Sequence, residues 1–265
     1  MNKIKRMLVY AGIMIYMVVM LGFISEKAGS IHCDQIRVII ADSLNNGFIN
    51  DKDVWQVINE NNLSLKGADL HKINTKVLED NLLLHPAVKN AQAFKTINGK
   101  VNIYIDQRDP IIRIYTDRYS FYLDEEGNYI PLSRKFAAHV PIASGYIPAD
   151  FDWQSLGNVD NLLKDSELDN SEKLMIDLYL LAKYIYENEF WKSMIEQVYI
   201  NENQEFEMIP RVGSHVIIFG KFKRVDEKFR NLKVLYKKGF NKVGWIKYES
   251  INLKYKDQIV CEKVS

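Results

Sequence analysis

Three consecutive carboxylates, Asp124, Glu125 and Glu126, are the residues of this chain whose types and spacing come closest to acid–base chemistry. General acid–base catalysis needs titratable groups that are held together in one site. Successive residues of a strand point to opposite faces, however, and Gly127 and Asn128 follow directly, as a turn with positive φ requires. A turn leaves its carboxylates in water. The segment therefore predicts an exposed hairpin turn, without catalysis or metal binding.

The other residues that could carry chemistry are scattered along the chain. The five histidines, at positions 32, 71, 85, 139 and 215, form no His-x-His or His-Glu-x-x-His pair that would set two imidazoles on one helix face. Neither cysteine has a second cysteine at metal-binding spacing, and there is no Gly-x-Ser-x-Gly elbow or glycine-rich phosphate loop. We therefore predict no catalytic residue, no metal, no cofactor and no small-molecule substrate.

Composition predicts a folded chain that does not bind nucleic acid. The 265 residues are 47% hydrophobic and 26% charged, which is enough apolar material for a packed core. The 35 basic side chains balance 34 acidic ones, and no long block of either sign occurs. At this length we expect two domains, because single domains cluster near about 100–150 residues.

The N-terminal region predicts a single-pass membrane anchor. Residues Met7–Ile24 carry no charge, and as a helix they would extend roughly 27 Å, close to a bilayer core of about 30 Å. Lys3, Lys5 and Arg6 precede this run, so the positive-inside rule places residues 1–6 in the cytoplasm and the rest of the chain outside. A cleavable signal peptide is the alternative, although its apolar region usually spans about 7–15 residues.

Cys33 and Cys261 would then lie on the extracytoplasmic side, where disulfides can persist. They stand at opposite ends of the exterior part of the chain, and a disulfide needs Cα atoms about 4–7 Å apart. We expect two small apolar side chains rather than a bridge.

After a linker over residues 25–33, residues 34–108 predict a small β-α-α-β-β domain. A period-2 strand begins it, Asn50 or Asp51 caps the first helix, and Pro86 closes the second. The Asn98-Gly99 pair predicts a hairpin between the last two strands. The side chains expected to face the core are Ile36, Val38, Ile40, Val54, Val57, Ile58, Val77, Leu78, Leu82, Val101, Ile103 and Ile105. This element order is that of the POTRA domain, a module that docks other polypeptides.

Residues 109–265 predict a second domain, mainly antiparallel β with two helices, that begins near Pro110. Strands are expected in IIRIYT, SFYLDEEGNYIPL, IEQVYI, EFEMI and HVIIFG, and in the last segments, GWIKYESINLKYK and QIVCEKV. The first helix is expected over SEKLMIDLYLLAKYIYENEF, and Gly239 is expected to end the second. The helix residues expected to face the core are Leu174, Leu178, Leu181, Ile185, Val225, Phe229, Leu232 and Tyr236.

The segment YESINLKYK predicts an exposed edge of this second sheet. Ile251, Leu253 and Tyr255 would face inward, and Tyr248 and Ser250 outward with Asn252 and Lys254. As the last long strand of the chain it is expected at an edge, and proteins either protect such edges or use them to add a partner strand. An edge kept soluble by its lysines remains the alternative.

Several motifs together resemble the FtsQ (DivIB) family of bacterial cell-division proteins, in the form seen in Bacteroidetes. They are a short tail and one anchor, then LLLHPAVKNAQAF, IDQRDPIIRIY, SFYLDEEGNYIPLS, VPIASG, EMIPRVGSHVIIFG and the region that ends in DQIVC. The resemblance covers nearly the whole chain. The family's cytoplasmic tail is often longer than the six residues here.

The resemblance implies a non-enzymatic divisome scaffold in the cytoplasmic membrane that links early and late division proteins at the septum. It further implies that the POTRA domain serves recruitment, and that the end of the β domain binds FtsB and FtsL, with FtsB adding a strand to the terminal edge. On this sequence that edge is Trp245–Tyr255, and Trp245, Tyr248, Ser250 and Asn252 are the expected partner-binding residues.

Two other classes stay open at this point. A POTRA-bearing envelope assembly or secretion factor would continue into a long transmembrane β-barrel. A membrane-anchored periplasmic hydrolase would hold carboxylates of shifted pKa in a pocket.

Overall fold

A computed structural model describes residues 2–28, 31–41, 47–61, 63, 65–148, 157–163, 168–240 and 244–264. Within these ranges the chain divides into two compact units, Met1–Gln107 and Arg108–Ser265. The first contains a three-stranded sheet and the second a nine-stranded sheet. Cys33 and Cys261, one in each unit, are free thiols.

The chain begins with a helix, α1, over Asn2–Ala28. Its large apolar side chains between Met7 and Leu21 are exposed, with exposed fractions from 46% to 72%. Among the residues that the structure describes, no helix is both long enough and apolar enough to cross a membrane.

The first unit has the predicted β-α-α-β-β order. Its elements are β1 (Gln35–Ile40), α2 (Asp51–Glu60), α3 (Thr75–Leu83), β2 (Val88–Lys95) and β3 (Lys100–Gln107). The central strand β3 pairs parallel to β1 and antiparallel to β2, and its apolar side chains belong to one buried cluster with residues of α2 and α3. Val101, Ile103 and Ile105 are each 0% exposed, and burying each contributes about 2 kcal/mol relative to exposure.

The two helices of this unit start where their caps require. The side chain of Asn50 accepts hydrogen bonds from the N–H groups of Lys52 and Asp53, and the Asp53 side chain accepts one from the Asn50 N–H. This capping box resolves the two predicted alternatives in favour of Asn50. The prediction for Val77 is wrong, because this side chain is 41% exposed. In α3 the buried residues are Leu78 and Leu82, four apart on one face.

The second unit adds a mixed sheet with helices against it. Its strands are β4 (Pro110–Tyr115), β5 (Ser120–Asp124), β6 (Tyr129–Pro131), β7 (Ile142–Gly145), β8 (Ile195–Ile200), β9 (Phe206–Pro210), β10 (Val216–Gly220), β11 (Tyr248–Asn252) and β12 (Val260–Lys263). Their order in the sheet is β12-β11-β10-β9-β8-β7-β4-β5-β6. Two antiparallel meanders therefore flank β7, which pairs parallel to β4 on one side and to β8 on the other.

The helices of this unit are more numerous than the two predicted. They are α4 (Asp160–Leu163), α5 (Asn170–Glu187), α6 (Glu189–Met194) and α7 (Val225–Val234), which continues into a π-helical turn, Leu235–Gly239. The first predicted helix breaks at Asn188, whose extended backbone ends α5 while its side chain accepts from the N–H of Phe190 and caps α6. The predicted core residues Leu174, Leu178, Leu181 and Ile185 of α5 are all buried.

Candidate partner-binding edge

Three strands, β10, β11 and β12, form one end of the nine-stranded sheet. Ile251 of β11 lies opposite Ile217 of β10 in parallel register and opposite Cys261 of β12 in antiparallel register. Ile217 and Ile251 are 0% exposed, and Cys261 is half-buried. Burial raises the pKa of the Cys261 thiol. This row of side chains attaches β12 to the apolar core behind the sheet.

The prediction that Trp245–Tyr255 forms the sheet edge is wrong. β11 is bonded on both sides, and within the described residues β12 is the terminal strand. The chain reverses after β11 through a turn in which Asp257 has a φ of 57°, and the short segment Val260–Lys263 then pairs back on β11. Tyr255, predicted to face inward, lies beyond the strand and is 51% exposed.

One hydrogen bond just after β12, taken with the alternation of a strand, indicates which backbone groups of β12 face away from the sheet. The N–H of Val264 donates to the carbonyl of Lys247, on the β11 side. Alternate residues of a strand direct their N–H and C=O groups to the same side. The backbone groups of Val260 and Glu262 therefore face β11, and those of Cys261 and Lys263 face outward. The side chains of Val260, Glu262 and Lys263 are exposed, and that of Cys261 is half-buried.

An aromatic cluster supports the start of β11. Trp245 lies in the turn before the strand, with its ring 5.3 Å from Tyr236 and 4.9 Å from Phe240 between centroids. Tyr248, the first residue of β11, lies 6.2 Å from Phe240. Both predicted contact residues are thus half-buried in the domain core, and part of each ring remains exposed.

A buried histidine completes this cluster. His215 is 1% exposed, and its Nε2 lies 2.7 Å from the hydroxyl of Tyr236. Burial lowers the pKa of His215, and an interaction with the backbone carbonyl of Trp245 opposes this in part. Burial also raises the pKa of Tyr236. The two rings are therefore neutral near pH 7 and share one hydrogen bond. Sequence reasoning missed this pair, because a lone histidine carries no spacing signal.

The other two predicted contact residues lie inside the strand pairing. The hydroxyl of Ser250 is 3.2 Å from the carboxylate of Glu262 on β12, and the side chain of Asn252 accepts from the N–H of Lys254. Both residues are half-buried. A proline at Ser250 would break the β11–β12 pairing and so cannot test partner binding alone.

The buried Lys228 stabilises the segment that follows β10. Lys228 is 5% exposed, and its Nζ donates to the carbonyls of Phe219 and Lys221, at 2.7 and 2.8 Å. Burial, and then the charge of Arg224, lower the pKa of Lys228 to about 8. Arg224 also donates to the carbonyl of Lys254, at 2.8 Å. These bonds fix the end of β10 and the turn between β11 and β12.

The acidic segment Asp124–Glu126 lies at a hairpin turn between β5 and β6, as predicted, but the prediction that its carboxylates are all exposed is wrong. Asp124 is 2% exposed and pairs with Arg108 at 2.8 Å. It also accepts from the N–H groups of Glu126 and Asn128. Its role is to organise the turn. In the described part of the chain, no three His, Cys, Asp or Glu side chains are grouped so as to hold a metal ion.

Comparisons with known families agree with this architecture. A family model described as FtsQ/DivIB, C-terminal related, matches residues 109–262, and a model described as POTRA-like domain matches residues 31–106. A search of curated proteins finds no match.

The FtsQ/DivIB match places the chain in the broad class of cell-division scaffolds, and the second match identifies its POTRA-like domain. The first match covers more than half of the chain, and the chain therefore belongs to the FtsQ/DivIB family. The POTRA-like domain and the family resemblance predicted from the sequence are thereby confirmed.

Proposed function

We propose that the chain is a non-enzymatic divisome scaffold that binds FtsB- and FtsL-like division proteins and other divisome proteins through its two folded units. The open edge of β12 carries this proposal. In the described residues β12 ends a nine-stranded sheet, and Cys261 and Lys263 direct backbone donors and acceptors outward. An edge of this kind accepts an added strand from a partner, because main-chain hydrogen bonds supply affinity independently of the partner's side chains.

Side chains beside the edge would supply specificity. Tyr248 lies opposite Lys263 in the β11–β12 register, and Ser250 lies opposite Glu262. A strand added to β12 would pass next to Glu262 and Lys263. These two charged side chains suit a partner strand that carries the opposite charges at the facing positions. The contacts predicted for Trp245, Tyr248, Ser250 and Asn252 stay a prediction, and a photo-crosslinking residue at position 248 would test them.

We also propose that Met7–Ile24 anchors the chain in the cytoplasmic membrane, with the N-terminus cytoplasmic and both folded units periplasmic. The run is uncharged, and three basic residues precede it. The large apolar side chains described between Met7 and Leu21 are exposed, and contiguous exposed apolar surface of this kind marks contact with a membrane or a protein partner. Alkaline carbonate extraction of cell membranes tests this, and release of the chain into the supernatant would contradict it.

Proline substitution on β12 tests partner binding. Lys263→Pro removes an outward donor, so we expect capture of the FtsB-like protein by the full-length chain to fall at least about tenfold. Lys263→Ala keeps the backbone donor, and we expect it to retain binding. Undiminished capture by the proline variant would rule out strand addition at β12.

Cell division gives the second readout. A fluorescent fusion at the N-terminus, expressed at native level, is expected to form a band at the constricting midcell. A uniform peripheral signal with normal division after depletion would contradict the scaffold role.

A further inference from the structure

A groove in the helical layer of the second unit combines an aromatic floor with a basic rim. It lies where α5, α6 and α7 meet and has a volume of about 360 Å³. None of its lining residues belongs to β11 or β12, so it is separate from the edge described above.

The floor is rigid and already formed. The rings of Tyr184 and Phe229 are stacked with centroids 4.6 Å apart, and Trp191 lies 5.0 Å from Phe229. Trp191 and Phe229 are each 1% exposed, so their positions are fixed by the core beneath. Beside them Val234 is 50% exposed, which leaves apolar surface uncovered at the mouth of the groove. Such a floor accepts an apolar side chain without first rearranging.

The rim carries cations on one side of one helix. Arg230 and Lys233 are three residues apart on α7, and Lys237 and Lys238 follow on the π-helical turn. Like charges at such spacing repel one another and destabilise the helix that carries them. Within the described ranges Arg230 and Lys238 make no ion pair, and the Nζ of Lys233 lies over the Phe190 ring at 5.1 Å. Burial, and then the charge of Asp226 one turn before Arg230, raise the pKa of Tyr184.

The π-helical turn is a second sign of a functional surface. Single turns of π-helix inside or at the end of an α-helix occur frequently at functional sites. Here the turn follows α7 directly and carries Lys237 and Lys238, two of the residues that line the groove.

We propose that this groove docks an acidic amphipathic helix of a partner protein. One apolar side chain of that helix rests on Tyr184 and Val234, above the buried rings of Phe229 and Trp191, and carboxylates three and four residues apart pair with Arg230, Lys233 and Lys238. Charge complementarity selects this occupant, since the repulsion between the cations is relieved when carboxylates of matching spacing lie beside them. A concave aromatic floor also suits an inserted side chain better than it suits the flat surface of a bilayer.

A designed peptide tests the proposal on the full-length chain in detergent. The probe is a fluorescein-labelled helix of about 16 residues, or ~24 Å, with one leucine face flanked by glutamates three and four residues apart. Its control has the same composition with the glutamates spread around the helix. By fluorescence anisotropy we expect the patterned peptide to bind at least about tenfold more tightly, and to weaken as salt rises from about 0.05 to 0.5 M. Equal binding of the two peptides would overturn the proposal.

Charge reversal assigns the binding to this groove. Arg230 and Lys238 are exposed, so the double variant R230E/K238E is expected to fold normally and to lose the preference for the patterned peptide. Lys256→Glu reverses the charge of another exposed lysine in the same unit. This control variant is expected to keep the preference for the patterned peptide. Full binding by the double variant would place the peptide elsewhere and overturn the proposal. Failure of the peptide together with variant-sensitive binding of phosphatidylglycerol micelles would assign the groove to a lipid headgroup instead.

Discussion

The Nε2 of His215 and the hydroxyl of Tyr236 lie 2.7 Å apart inside the aromatic cluster that supports β11. Burial favours the neutral form of the histidine and so lowers its pKa. In the unfolded chain a histidine has a pKa near 6.5, so between these two values the unfolded chain binds more protons. The folded domain therefore keeps this contribution to its stability above about pH 6.5 and loses it as the pH falls through the lowered pKa of His215.

We expect the melting temperature of the protein to fall between about pH 7.5 and pH 5, and His215→Gln to flatten this dependence. Glutamine stays neutral and can still form a hydrogen bond with Tyr236. His139→Gln is the control, because His139 is exposed and its removal should leave the slope unchanged. Thermal unfolding followed by circular dichroism across this pH range provides the measurement. An unchanged slope in the His215 variant would contradict the assignment.

Asp124→Ala is expected to destabilise the second unit by about 3 kcal/mol. The change leaves Arg108, which is 19% exposed, without the carboxylate at 2.8 Å, and removes the acceptor for two turn N–H groups. Asp117→Ala removes an exposed carboxylate nearby in sequence and should cost less than about 0.5 kcal/mol. Urea unfolding compares the two. Similar midpoints for both variants would show that Asp124 does not organise the turn.

Proline at neighbouring positions of β12 should destabilise the second unit to different extents. Glu262→Pro removes a donor that faces β11 and should lower the stability of the second unit by about 3 kcal/mol or more. Lys263→Pro removes an outward donor and should cost less than about 1 kcal/mol. Hydrogen exchange of the β11 amides reports on the pairing directly. Equal loss of protection in both variants would contradict the orientation derived for β12.

Gly145→Ala should be poorly tolerated. Gly145 has a φ of 104°, and an added Cβ would lie 2.2 Å from the carbonyl oxygen of Ile200. Gly157, with a φ of 69° and no atom within 4 Å of an added Cβ, is the matched control. We expect the control to cost about 1 kcal/mol from backbone strain alone, and Gly145→Ala to cost at least about 3 kcal/mol, because the backbone must also shift. Denaturant unfolding midpoints of the two variants provide the measurement. Equal midpoints would contradict a steric conflict between residue 145 and the carbonyl of Ile200.

Periodicity predicted most of the elements correctly, because strong patterns belong to residues that share one face. Ile103 in β3 and Leu178 in α5 are fully buried as expected. β7 was missed because it has four residues, with Pro141 just before it and Gly145 at its end. Such a short strand forms only because β4 and β8 bond to it on both sides.

The candidate site was predicted only in outline. The alternation in YESIN correctly predicted a strand and which of its two faces is buried, since Ile251 is buried. Its place in the sheet depended on whether the weak segment Val260–Lys263 returns to pair with it, which alternation cannot decide. The burial of Asp124 likewise depends on Arg108, a residue whose pairing no local pattern indicates.

The position of β7 has a consequence for how the second unit assembles. The meanders β4-β5-β6 and β8-β9-β10 pair neighbours in chain order, so each can form rapidly from local contacts. β7 joins them through parallel pairings between residues that are distant in the chain, which form slowly. Until β7 is in place, β4 and β8 would present unpaired inner edges, so we expect aggregation to compete with the completion of the sheet in newly made chains.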